Sequence, residues 1–225
     1  MIENSVFLYK RTTFALPGDD KMPRDKTESH ERIIAAAKAE FLEYGFENAS
    51  MRRIAANADI TVSGLYKHFP SKEEMFAHLV QPVLDSFNTL YHQKEQEEQN
   101  AIEEIGAAAA FLNEDAVYAM GFIYDNFDEF KLLVCRSQGT RYEDYAHTLA
   151  EMEEESSLKY IEALRTRGDC VPEFDRREFH LLVSSNVEAV LQPIRHDFSR
   201  EDAMHYAKTI NEFFSRGWKW LCGME

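Results

Sequence analysis

The chain has 225 residues, 44% hydrophobic and 29% charged, with 25 Lys and Arg against 40 Asp and Glu for a formal net charge of -15. That apolar content excludes a wholly disordered chain, and the acidity excludes a nonspecific nucleic-acid coat. With 9 Gly, 6 Pro and apolar residues at helical rather than alternating spacing, the composition points away from a sandwich or barrel and toward an all-α fold.

Residues 1–26 read as a flexible N-terminal extension, with a linker at Pro17-Gly18-Asp19-Asp20 and Met22 just before the first helix, so that residues 1–21 need not belong to the native protein. From Arg32 to Tyr44, Ile33, Ile34, Ala37, Phe41 and Leu42 form one apolar stripe, with caps at Thr27 or Ser29 and a glycine stop at Gly45. Ser50 caps a short helix through Met51 to Ala58, and Thr61 caps another to about Phe69, ended by Pro70. A capping box at Ser71 and Glu74 opens a helix that runs past Pro82, where a bend is expected, into the charged stretch 94–99. Further starts are expected at Asn113, at a Thr140 and Glu143 box, at Asp175 and at Ser199, with stops at Gly168 and Gly223. The acidic cluster Glu151, Glu153, Glu154 and Glu155 reads as a solvated helix face.

The charge is unevenly placed. Residues 1–70 are neutral, with ten basic and ten acidic side chains, so the whole excess of -15 belongs to residues 71–225. Within 50–72, Arg52, Arg53, Lys67 and Lys72 stand against Asp59 alone, a locally positive strip of +3. The same window has the proportions of a helix-turn-helix. A recognition helix must bring its first residues against base edges in a groove about 12 Å wide, which favours small side chains there. Thr61, Val62, Ser63 and Gly64 satisfy that requirement. Thr61 and Ser63 can donate to phosphate or bases, Val62 can meet a thymine methyl, and Tyr66, Lys67 and His68 can reach the backbone. Lys72 sits in the first turn of a helix, where a cation opposes the dipole and a nearby phosphate would offset the penalty.

Arg32-Ile-Ile-Ala-Ala-Ala-Lys-Ala-Glu-Phe41, Tyr44-Gly-Phe46, Ser50-Met-Arg-Arg-Ile-Ala55, Ile60-Thr-Val-Ser-Gly-Leu-Tyr-Lys-His-Phe69 and Ser71-Lys-Glu-Glu-Met-Phe76 together resemble the DNA-binding domain of the TetR family of transcriptional regulators. The resemblance implies a three-helix DNA-binding domain at residues 27–75 and a helical effector-binding and dimerisation domain at 76–225. It further implies a homodimer on palindromic double-stranded operator DNA, mostly as a repressor released by a small organic effector. By position it assigns DNA contacts to Ser50, Thr61, Val62, Ser63, Tyr66, Lys67, His68 and Lys72, with Gly64 permitting close approach. Asp59 departs from the usual Gly of the inter-helix turn, but Asp tolerates left-handed geometry.

In the C-terminal region one stripe contains Phe179, Val183, Val187 and Val190 and another Ile210, Phe213, Phe214 and Trp218. Both stripes fit the chain's own core, and both fit a four-helix dimer interface, the reading the resemblance favours. Aromatic and flexible residues between them suit an adaptable ligand pocket, with Phe111, Tyr118, Phe122, Tyr145, His147, His180 and Asn186 as the expected lining.

Other classes find little support. P-loop, dinucleotide-binding, HExxH and GxSxG motifs are absent, and the nearest approaches to the Glu-x-x-His pairs of a di-iron bundle, Asp144 with His147 and Asp202 with His205, use Asp. The expectation is a non-enzyme with no cofactor and no metal. Cys135, Cys170 and Cys222 form no CxxC pair, which fits a reducing cytoplasm, and no run approaches the roughly 18 apolar residues of a membrane span. The rival is a helix-turn-helix adaptor that binds a protein partner, because the acidic body would repel duplex.

Overall fold

A computed structural model describes residues 23–105 and 115–223. Those residues form α1 (Pro23–Asn48), α2 (Met51–Asn57), α3 (Val62–His68), α4 (Lys72–Ile105), α5 (Asp115–Asp125), α6 (Phe127–Cys135), α7 (Tyr145–Arg167), α8 (Arg176–Arg195) and α9 (Arg200–Leu221), with no strand among them. The all-α expectation holds. Residues 23–26, expected in the flexible extension, are instead the start of α1. Residues 1–22, the Asn113 cap and Phe111 lie outside the described residues.

Local chemistry sets most boundaries. Gly45 takes φ 73° and breaks the helical geometry of α1, a conformation that an L side chain adopts only with strain. Ser50 accepts from the Arg53 amide, Thr61 from Gly64, Asp175 from Arg177 and Ser199 from Asp202, each capping the helix that follows. Gly168 ends α7 at φ 100°. At Thr140 and Glu143, however, no helix begins. Thr140 Oγ1 accepts from Tyr142 N at 3.0 Å and donates to Ser137 O at 2.6 Å, and Glu143 Oε2 accepts from Gly139 N at 2.9 Å. These side chains bond back into a tight turn, so α7 starts at Tyr145. The predicted bend aside, α4 continues through Pro82 to Ile105.

One core runs through both halves of the molecule. Ile33, Ala37 and Phe41 of α1 meet Ile54 of α2, Leu65 of α3, and Met75 and Phe76 of α4, all buried. Phe41, Phe46 and Phe76 form a ring triad with centroids 5.2 to 6.1 Å apart. The same cluster continues without a gap through Leu84 and Phe87 to Phe130, Leu133, Leu149, Leu191 and Ile194. The boundary expected between residues 75 and 76 thus falls inside α4, whose first turns complete the N-terminal domain and whose later turns wall the body. Smaller clusters join α5 to α9 around Met120, Ala203 and Ala207, and α7 to α8 around Ile161, Phe179 and Val183.

Candidate nucleic-acid interface and internal cavity

The turn between α2 and α3 is made by Asp59 at φ 52°, as expected of an Asp in left-handed geometry, and Ile60 N returns to Ala55 O at 3.0 Å. Leu65 is fully buried and anchors α3, which leaves Thr61, Ser63, Tyr66, Lys67 and His68 exposed on its outer side. Gly64 N donates to Thr61 Oγ1 at 3.0 Å, and a Cβ at Gly64 would stand 3.1 Å from that oxygen. The glycine therefore protects the cap as well as keeping the helix start slim.

Three predicted contacts are placed differently from the exposed set. Val62 packs against the N-terminal core rather than standing clear for a thymine methyl. The Ser50 hydroxyl caps α2. Lys72 Nζ donates to Glu47 O at 3.1 Å and Ala49 O at 3.4 Å and lies 4.5 Å from the Phe46 ring centroid. Carbonyls and a ring face at the end of α1 thus offset the unfavourable dipole, a task the sequence had suggested for a phosphate. Arg53 is also engaged internally, with Glu40 and with the Tyr44 ring. Of the four cations in the +3 strip, Lys67 and Arg52 are the exposed ones without such a bond to the protein among the described contacts.

Behind this domain, residues of α4 to α9 line a cavity of about 300 Å³. Tyr118 and Asn186, two of the residues named for a pocket, line it. Phe122 does not: it packs between Phe87 and Phe130, at 5.7 and 6.0 Å. Tyr145 is packed beside Phe130, its hydroxyl buried without a hydrogen-bond partner and its pKa pushed well up by burial. His147 is exposed and faces Glu151 at 3.4 Å, while His180 Nδ1 lies 2.7 Å from Glu154 Oε2. Aromatic content showed that these helices pack but not which faces turn inward.

The stripes expected at a dimer interface turn largely inward within this chain. Phe179, Val183, Val187, Val190, Phe214 and Trp218 line the cavity, and Ile210 is buried. An apolar stripe records that something covers it, and here the chain covers most of it itself. Of the eight residues only Phe213 stands out, 71% exposed, in company with Trp220 at 69% and Leu181 at 64%. The lining also includes Lys94, Glu95, Asp115, Asn211 and Ser215, none of which the sequence reading assigned to a pocket, and Glu153, which it placed on a solvated helix face. The spacing Phe87, Leu90, Tyr91, Lys94, Glu95 places them on one face of α4, a clue hidden by the surrounding charge.

Cavity and reading head share a helix. Phe130 of α6 lines the cavity, and at the residue that directly follows that helix Arg136 O accepts from Phe46 N at 2.9 Å, directly after the Gly45 break. Lys38 of α1 is ion-paired with Glu129 of α6 beside this junction.

Fold and site define a helix-turn-helix protein whose N-terminal three-helix domain is fused to a cavity-bearing helical body. Residues 33–79 match the profile of the bacterial regulatory proteins of the tetR family. Over 72 residues it is 39% identical to an HTH-type transcriptional regulator of Staphylococcus aureus (strain USA300), a stretch that is 32% of this chain and 39% of the relative. Proteins of strains NCTC 8325 and COL match to the same extent, so the chain spans 39% of the length of these curated relatives. Among solved structures, NalD, the secondary repressor of the MexAB-OprM multidrug efflux pump in Pseudomonas aeruginosa, is similar with a TM-score of 0.54 at 16% identity. The likeness covers 83% of this chain and 95% of NalD, and it shows the shared fold.

Proposed function

We propose that this chain is a ligand-responsive transcriptional repressor, a homodimer that places two copies of α3 on palindromic duplex and is released when a small molecule fills the cavity. The observation that carries the reading is the outer side of α3: a slim, capped start at Thr61 to Gly64 followed by exposed Tyr66, Lys67 and His68. Thr61 and Ser63 are suited to base edges or phosphates and Lys67 to the backbone. Exposed Leu181, Phe213 and Trp220 on α8 and α9 are the apolar surface that a second copy would cover. The route from cavity to reading head is α6, through Phe130 at one end and the Arg136 to Phe46 bond at the other.

Selection of bound duplexes from a random library by the full chain tests this directly. A two-fold symmetric consensus bound with steep salt dependence supports the regulator, and absence of any preferred duplex at low salt favours the protein-binding adaptor. Light scattering in parallel should give a dimer that Phe213→Glu converts to monomer.

A further inference from the structure

We propose that the cavity takes an uncharged molecule, an apolar body bearing an alcohol, ketone or amide, and that the side-chain amide of Asn186 reads its polar group. The inference rests on the cavity being the effector site. The charged side chains of the described lining are already committed within the chain. Lys94 Nζ donates to Asp115 Oδ1 at 2.9 Å and lies 4.8 Å from the Tyr118 ring centroid. Glu95 Oε1 accepts from Lys159 Nζ at 3.4 Å, and its Oε2 lies 3.3 Å from His92 Nδ1. Glu153 is engaged as well. An anion has to take Lys94 from Asp115, and a cation has to displace Lys94 or Lys159 from its carboxylate. Either newcomer exchanges one ion pair for another while losing its own hydration, so the exchange gains little.

The polar groups left over are neutral. Val183, Asn186, Val187 and Val190 of α8 stand at i, i+3, i+4 and i+7 and all line the cavity, so Asn186 interrupts an apolar stripe with one amide. That amide is half-buried and, among the described residues, has no hydrogen-bond partner. Asn211 of α9, also in the lining, is by contrast committed, its Oδ1 accepting from the Ala116 amide at 3.3 Å. Ser156 and Ser157 of α7 and Ser215 of α9 line the cavity and share the freedom of Asn186. A half-buried amide within an apolar stripe costs stability unless something pairs with it. The asparagine side chain offers both an acceptor and donors, which an alcohol or amide can match without disturbing any ion pair. A hydrocarbon of the same shape would cover that amide and leave it unpaired, so it should bind less well. The volume of about 300 Å³ lies at the small end of ligand pockets, which restricts the apolar body to a few rings.

The test uses the full chain and a matched set of probes: 2-naphthylacetamide, 2-(2-naphthyl)ethanol, 2-naphthylacetate, 2-(2-naphthyl)ethylamine and 2-ethylnaphthalene. Calorimetry at pH 7 measures them, the poorly soluble hydrocarbon by displacement of the amide. The amide and the alcohol should bind roughly tenfold or more tighter than the acid and the amine. Asn186→Leu should weaken the amide and the alcohol by roughly tenfold and leave the hydrocarbon at least as tight. Asn186→Asp, which puts a new carboxylate at that point of the lining, should move the preference toward the amine. Tightest binding by the acid or the amine, equal affinity across the set, no binding of any probe, or a leucine variant that holds the amide as tightly as before would each overturn the proposal. The order of the probes on the unaltered chain decides the matter if a variant fails to fold. Duplex binding is measured separately: a preferred operator without preference for the neutral probes overturns only this inference. Preference for the neutral probes with no preferred duplex upholds it and removes the regulator reading instead.

Discussion

Arg53 Nη2 stands 2.6 Å from Glu40 Oε1, and that carboxylate, only 2% exposed on α1, also accepts from the Ser50 amide at 2.7 Å. One buried acid thus holds the start of α2 against α1 and takes a cation from the face that would meet DNA. Removing it leaves the Ser50 N–H without this partner, whereas Arg53, 47% exposed, can rehydrate. Glu40→Ala should cost about 2 kcal/mol, at the cost of one buried unsatisfied donor and the lost pair. In a chain of this size that is a fall in melting temperature of roughly 4–8 °C. Differential scanning calorimetry checks it, and a wild-type melting curve for the variant would show that the pair is not structural.

The start of α3 is a second local device. Thr61→Val keeps the shape of the side chain and removes the acceptor for Gly64 N, a loss of about 1 kcal/mol typical of an N-cap. Gly64→Ala places a methyl 3.1 Å from the same oxygen and must displace it. Both variants should melt lower and bind the selected duplex more weakly. Serine at position 61 preserves the cap and should restore melting. Duplex affinity that survives Thr61→Val unchanged would separate the cap from the reading surface.

How far the sequence carried the structure follows from the range of the interactions involved. Caps at Ser50, Thr61, Asp175 and Ser199 and left-handed turns at Gly45 and Asp59 depend on a few neighbouring residues, so the helix-turn-helix was legible. Thr140 and Glu143 carry the same cap signature, but it is spent on a turn, because the fold around Ser137 offers those side chains nearer partners. What covers a helix face is a long-range fact. The stripe at Phe179, Val183 and Val187 reads identically whether it meets another protomer or a cavity, and only the placement of α4, α7 and α9 decides. Lys72 shows the same limit: its spacing revealed an awkward cation, while its partners, Glu47 O and Ala49 O, lie more than twenty residues away.

Lys67 and Lys72 separate a phosphate contact from a structural cation. Lys67 is exposed on α3, so in a dimer Lys67→Ala removes two phosphate contacts and should flatten the plot of log affinity against log salt by about 2. Lys72→Ala removes bonds to two carbonyls and a ring contact, and should lower stability by about 1 kcal/mol while leaving the salt slope nearly intact. Fluorescence anisotropy over a salt series with the selected duplex measures both. An equal loss of slope in the two variants would return Lys72 to the interface.

The cysteines report on the packing of α9 over the cavity. Cys170 is exposed, whereas Cys222 is buried at the cavity wall and Cys135 is half-buried. Burial pushes the thiols of Cys222 and Cys135 above their ordinary range, outweighing nearby cations such as Arg165 and Lys131 respectively. A raised thiol stays protonated through neutrality, and the thiolate is the species that alkylates, so these two are doubly protected near pH 7. Iodoacetamide at that pH should label Cys170 first. As pH rises, labelling of Cys222 should go on accelerating beyond the range where an ordinary thiol has already ionised, so its increase comes late. Peptide mapping by mass spectrometry across pH 7 to 10 resolves the three sites. An occupant of the cavity should slow Cys222 and leave Cys170 untouched. Labelling of Cys222 as fast as Cys170 at neutral pH would mean that the end of α9 does not close the cavity in solution.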